Sequence, residues 1–211
     1  MKLVEMRNGW MLEDIMEDRN FNKTQIRFKN MAGRQTNPKY NPSHVLVLWI
    51  DDPDMARFMK DELMLNVSER EIELRDENGD PQVDKNGNPM VLRRASVQLK
   101  AYPKMRPNRI SGKDEPTPRI MLKTPSTGRS VRLDIDNFGL FDSTRLISAD
   151  VRFHTWEYEK GKCVACIDEL WAIVDESAGE VDGSYLMDKY GYSEANEMAS
   201  VGVAEEEDVP W

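Results

Sequence analysis

The chain of 211 residues is short of the groups on which most enzymes and metal sites are built: it has two cysteines and two histidines. Two cysteines make no disulfide framework and agree with a reducing compartment. Cys163 and Cys166 sit three apart in a strand-like run, so they point to opposite faces, and no second cysteine pair exists to complete a zinc site. They read as small core residues. With only His44 and His154 a Ser-His-Asp arrangement has little to draw on, and neither a Gly-rich phosphate loop nor a nucleophile elbow occurs. Asp134 and Asp136 form a weak carboxylate pair that more often ends a strand than holds a metal. The expectation is a protein that is not an enzyme, with no metal and no cofactor.

Long apolar runs are also missing. No stretch approaches the roughly 18 residues of a membrane span, and Met1 to Asp18 mixes charges where a signal peptide needs an apolar core. A soluble intracellular protein is expected. The length fits one domain with extensions, and no internal repeat is visible.

The net charge of −9 argues against nucleic acid only until its distribution is read. From Arg19 to Trp49 there are six Lys/Arg and no acid; from Val91 to Arg132, eleven Lys/Arg stand against Asp114 and Glu115. From Asp175 to Trp211, eleven acids stand against Lys189. A single charge run is usually a solvated face. Two basic runs in the body with an acidic end are a less ordinary combination.

Period-two alternation marks the strands. The clearest is Ile147 to His154, followed by the polar turn Glu159-Lys160-Gly161-Lys162 and the apolar return Cys163 to Val174. Further strands are expected over Thr24–Lys29, His44–Ile50, Val67–Leu74, Val91–Ala101, Arg119–Thr124 and Val131–Ile135. Asp52-Pro53 opens one helix, Asp capping the orphan amides and Pro filling the first turn; it is expected to end near Leu65-Asn66. Trp10 to Glu17 reads as a second, short helix. Residues 30–43, 76–89 and 102–118 are Gly-, Asn- or Pro-rich loops. Seven or eight short strands point to a mainly β fold: a closed or nearly closed antiparallel barrel, of the OB-type Greek-key kind with extra strands, one short helix and a disordered acidic tail. A β-sandwich is the competitor. The expected divisions are an N-terminal arm over 1–19, the barrel over 20–176 and the tail over 177–211.

The segments Asn20-Phe21 to Lys29-Asn30, the Gly33 loop, His44–Ile50 followed by Asp52-Pro53-Asp54-Met55-Ala56, and Leu65-Asn66-Val67 carry a resemblance. They are similar to bacteriophage single-stranded DNA-binding proteins of OB fold, over about residues 20 to 175. The chain departs from them at 76–89 and around Pro103–Pro118. Its end, Glu205-Glu206-Glu207-Asp208-Val209-Pro210-Trp211, resembles the acidic C-terminal tips of bacterial single-stranded DNA-binding proteins, with Trp where Phe is usual. Those resemblances imply a non-specific coat for single strands in replication or recombination, acting in the cytoplasm of a bacterial host. They also imply that replication and recombination proteins dock on the tip.

Such binding needs cations along a groove and aromatic faces for bases. On strands, Arg27 and Lys29, then Arg94 and Lys100, have even spacing and so share a face. Lys104, Arg106, Arg109, Lys123, Arg129 and Arg34 lie on or beside loops. Tyr40, Tyr102 and Trp156 stand among polar or basic neighbours, Trp156 on the face opposite Phe153. For each aromatic alone, packing is as good an explanation as stacking. Residues 177–211 hold too few large aliphatics to offset ordering entropy; the tip suits a basic-rimmed apolar pocket on a partner, and homo-oligomerisation is open. A protein-interaction adaptor or virion component is the alternative from another class.

Overall fold

The computed structural model describes residues 1–20, 22–34, 43–76, 80–107 and 112–178. The fold is mainly β, and the long hairpin is its spine. Strand β11 (Leu146–Glu159) pairs antiparallel with β12 (Lys162–Val174) over their full lengths. Gly161, with φ of +72°, completes the turn between them in a conformation that L side chains rarely adopt. Period-two burial follows the sequence pattern: Ala149, Val151 and Phe153 are buried, whereas Arg152, His154 and Trp156 face outward.

The other strands attach to this hairpin. They are β1 (Lys2–Met6), β2 (Gly9–Met16), β3 (Ile26–Asn30), β4 (Val45–Ile50), β5 (Val67–Glu73), β6 (Val91–Lys100), β9 (Arg119–Lys123) and β10 (Ser130–Leu133). The sheet runs β1-β2-β11-β12-β6-β4-β3, with β5 on β6 and β9-β10 on β12. It is mixed and does not close, where a closed or nearly closed antiparallel barrel is the expectation from sequence. One edge of β12 is divided: Ala165 and Cys166 run parallel to Leu99 and Lys100 of β6, and Glu169–Ile173 run parallel to Arg119–Lys123 of β9. Across the gap between the sheet's ends, the Gln25 amide donates to the Met16 carbonyl at 2.8 Å.

Two sequence expectations are corrected here. The expected helix over Trp10–Glu17 is instead strand as far as Met16: β2 forms a hairpin with β1 and pairs with β11, contributing Leu12 and Ile15 to the core. Tertiary pairing overrides local pattern at this edge. Gly9 permits the crossing, since a Cβ there would stand 2.5 Å from the Phe153 carbonyl oxygen. The loop over 102–118 contains a separate hairpin, β7 (Lys104–Pro107) with β8 (Asp114–Thr117).

Helix α1 (Pro53–Asp61) starts as its sequence dictates, with the Asp52 carboxylate accepting from the Asp54 and Met55 amides, and ends earlier than expected. Met59 is buried under it, and Phe58 meets Trp10 edge-on with ring centroids 5.4 Å apart. A second helix, α2 (Phe138–Ser143), was not foreseen; it follows a 3-10 turn, Ile135–Asn137, and sinks Phe138 and Phe141 into the core. Asp134 and Asp136 therefore border a turn, both exposed, and do not form a strand pair.

Near the open seam, the Lys29 ammonium reaches Glu17 at 2.7 Å and the Thr144 carbonyl at 2.6 Å, while Glu17 accepts from the Leu146 amide. The Lys29 side chain is only 9% exposed. Replacing it by Ala leaves Glu17 and the carbonyl partly buried without their cation. Lys29→Ala is expected to lower stability by about 3 kcal/mol, measured as a shift of the urea unfolding midpoint at unchanged slope.

Candidate nucleic-acid interface

Leu46, Leu48 and Ile50 of β4 and Val97 and Leu99 of β6 face the core. The alternate residues point to the opposite face, where Val45, Trp49 and Ser96 are themselves buried and Val47, Gln98 and Lys100 are more open, and register defines what they bring together. Lys100 pairs with Val45 on one side and Cys166 on the other, and Cys166 pairs with His154. One position along, Val47 pairs with Phe28 and Gln98; another along, Trp49 pairs with Ser96, which pairs with Ser68. Five strands, from β3 to β11, thus share one outer face. At the usual spacing it is roughly 20 Å wide.

A bulge decides which basic residues of β3 reach this face. Ile26 pairs with Leu48 and Phe28 with Val47, so the register shifts by one between them. Arg27 is thereby turned outward, its guanidinium 4.8 Å from the centre of the Trp49 ring. Lys29, opposite Leu46, is turned inward to Glu17. The expectation that Arg27 and Lys29 share a face fails because the extra residue reverses the parity.

Arg94 does share the outward parity of Lys100, yet its side chain is only 2% exposed. It donates from Nε to Asp51 at 2.7 Å, donates to the Asn22 carbonyl and lies over Trp49 at 5.4 Å. Committed in this way, it holds the face together and does not offer its charge to a ligand. Arg34 lies against the second helix: a Cβ on Gly139 would stand 2.7 Å from its Nη2. Lys123 and Arg129 are exposed on and beyond β9, which pairs with the far half of β12. Cys166 and Ile173 are seven residues apart, so Lys123 stands roughly 23 Å along the strand from Lys100. The basic residues therefore do not all converge. Tyr40, Arg109 and Glu205–Trp211 lie outside the described residues.

What the outer face does gather is Arg27, Lys100 and Trp156, with Tyr102 following β6 and Lys104 and Arg106 exposed on the β7–β8 hairpin that begins two residues later. Trp156 is 57% exposed and Tyr102 48%, unusually open for large rings. Phe28 and Tyr158 are open as well, and neither stands out in the sequence. The outward parity of Tyr158, two after Trp156, is the signal that could have found it. Arg70 on β5 was likewise missed. Near the hairpin these side chains already have partners: Arg152 meets Glu169 at 3.5 Å and His154 Nδ1 meets Asp168 at 2.9 Å.

Two clefts lie elsewhere. One of about 700 Å³ between α1 and the β5–β6 pair mixes Asp51, Asp61 and Glu69 with Arg57, Lys60 and Arg93. Another of about 520 Å³ beside Trp10, Met55 and Phe58 carries Glu5, Asp52 and Asp54 on its rim. Neither places a nucleophile beside a base. Among the described residues, no group of three or more His, Cys, Asp and Glu is arranged to hold a metal ion, and no helix is long and apolar enough to cross a membrane.

Cys166 is buried in this face beside Lys100 and His154. Burial pushes its thiol pKa up, Asp168 adds to the shift, and Lys100 opposes it. A raised pKa means less thiolate at neutral pH and burial restricts access, so alkylation of Cys166 is expected to lag well behind that of the more open Cys163 at pH 7.5; peptide mass spectrometry after iodoacetamide pulses measures both rates. Compared with protein-family models, with curated proteins and with solved structures, the chain finds no match.

Proposed function

We propose that the outer face of the β3-β4-β6-β12-β11 sheet binds single-stranded DNA without reading its sequence. In this reading the protein coats unpaired DNA during phage replication or recombination in the bacterial cytoplasm. The observation that supports it is the presence of open rings and cations on one face: Tyr102 two residues after Lys100, Trp156 two strands away on β11, and Arg27 and Phe28 across the sheet. Bases stack on rings regardless of sequence, and lysines and arginines meet the phosphates between them. The sheet acts by holding the strand, not by chemistry upon it. The acidic tip Glu205–Trp211 then recruits replication or recombination proteins, a role that rests on its resemblance to bacterial tips and on its composition.

A second reading, a protein-binding adaptor, is favoured by one observation. The rings of Trp156 and Tyr158 stand next to Arg152 and His154, both already matched to acids, and a neutral aromatic patch suits a protein partner.

The two readings part in one titration. Full-length protein with oligo-dT at low salt is expected to quench tryptophan fluorescence, with affinity falling log-linearly as salt rises, by a slope of about 0.7 per phosphate met. Trp156→Ala is expected to weaken binding about 5- to 150-fold, matching the roughly 1–3 kcal/mol of one stacked base. Absence of any quenching at low salt leaves the adaptor reading. Deleting residues 205–211 is expected to abolish capture of replication proteins while oligo-dT affinity holds or rises, since the tip's charges oppose those of the face; undiminished capture would remove the recruiting role.

A further inference from the structure

We infer that Arg27 and Arg70 together form a phosphodiester-binding site on the outer face, with Trp49 as its floor. The inference rests on the proposed binding of single-stranded DNA and places one phosphate within it.

The site is built from four strands. Arg70 of β5 pairs with Arg94 of β6, so both side chains share the outward parity. Arg94 and Arg27 both lie over the indole of Trp49 on β4. Three guanidinium groups thus crowd one patch, and Asp51 answers only Arg94. Glu69 and Glu71 flank Arg70 in sequence, but alternation sends them to the other face, where Glu71 holds Arg93 at 3.0 Å. Among the described residues neither Arg27 nor Arg70 has a carboxylate partner.

Two further observations favour an anion there. The Trp49 Nε1 donor is buried and meets no acceptor among the described residues, although buried donors are ordinarily satisfied. Burial and the nearby charge of Arg70 both lower the pKa of Arg27, so its charged form is held at a disadvantage. An anion between the two side chains relieves that repulsion and takes up both forks. Guanidinium is suited to this task because its planar donors match two oxygens of a phosphate at once. Ser68 and Ser96, whose hydroxyls share a 2.9 Å hydrogen bond beside the patch, add polar lining on the side toward Gln98. A strand seated here continues over Phe28 and Gln98 toward Lys100 and Tyr102.

The test uses full-length protein and the exposed Arg70, whose replacement leaves the Arg94–Asp51 pair in place. For Arg70→Gln, oligo-dT affinity at low salt is expected to fall about 5- to 10-fold and the log–log salt slope to become shallower by about 0.7, the share of one phosphate on a single strand. Arg70→Lys, which keeps the charge but loses the fork, is expected to restore the slope and only part of the affinity. In the wild type, tripolyphosphate is expected to shift the Nε–Hε NMR signals of Arg27 and Arg70 together, and Arg70→Gln to suppress the shift at Arg27. An unchanged slope in Arg70→Gln with oligo-dT binding intact, or no tripolyphosphate shift at either arginine, would overturn the site. Tripolyphosphate shifts without any oligo-dT binding would retain the anion site and remove the nucleic-acid reading on which its ligand class depends.

Discussion

Everything in this fold hangs from the antiparallel register of β11 and β12. Their hairpin supplies the edge on which β2 forms, the edge shared by β6 and β9, and several of the largest core side chains, Phe153, Ile167 and Leu170 among them. Because alternate residues of a strand point to opposite faces, fixing Val151 and Phe153 in the core also fixes His154 and Trp156 outside it. The chemistry of the outer face follows from hydrophobic burial on the inner one. Local bulges modulate this rule. Register shifts at Arg152/Phe153 in the hairpin and at Ile26/Phe28 in β3 choose which neighbouring charges are turned to solvent.

That is also where reading from sequence reaches its limit. The hairpin, the strand over Val45–Ile50, the capped helix after Asp52 and the alternation in Val91–Lys100 were legible, since each is a local pattern with a local cause. The N-terminal hairpin was not, because Trp10, Ile15 and Met16 suit a helix as well as a strand, and only pairing with β11 decides between them. The second helix was hidden by its brevity and by the glycine at its second position. The candidate face was legible in part. Trp156 and Lys100 reach the face by alternation alone, whereas Arg27 is turned to it by the bulge in β3. Lys29 and Arg94 were misplaced for two different reasons: a bulge cannot be counted from composition, and an arginine's partner, here Asp51, lies 43 residues away in the chain.

Arg94 illustrates a division of labour within one residue type. It is nearly sealed between Asp51, Asn22 and Trp49, and its charge is spent on holding β4 to β6. Arg27 uses the same indole as a platform without a matching carboxylate. Stacking orients it while leaving its charge unanswered. Side by side, the two show how one indole can carry both a committed arginine and one left without a carboxylate.

The divided edge of β12 carries a consequence for electrostatics. It sets Lys123 and its surroundings more than two Debye lengths from Lys100 at physiological ionic strength, where that length is about 8 Å. Across such a span salt quenches mutual influence. A polyanion drawing near therefore meets only the potential of the patch directly before it, and the overall negative sum of this acidic molecule does not govern the encounter.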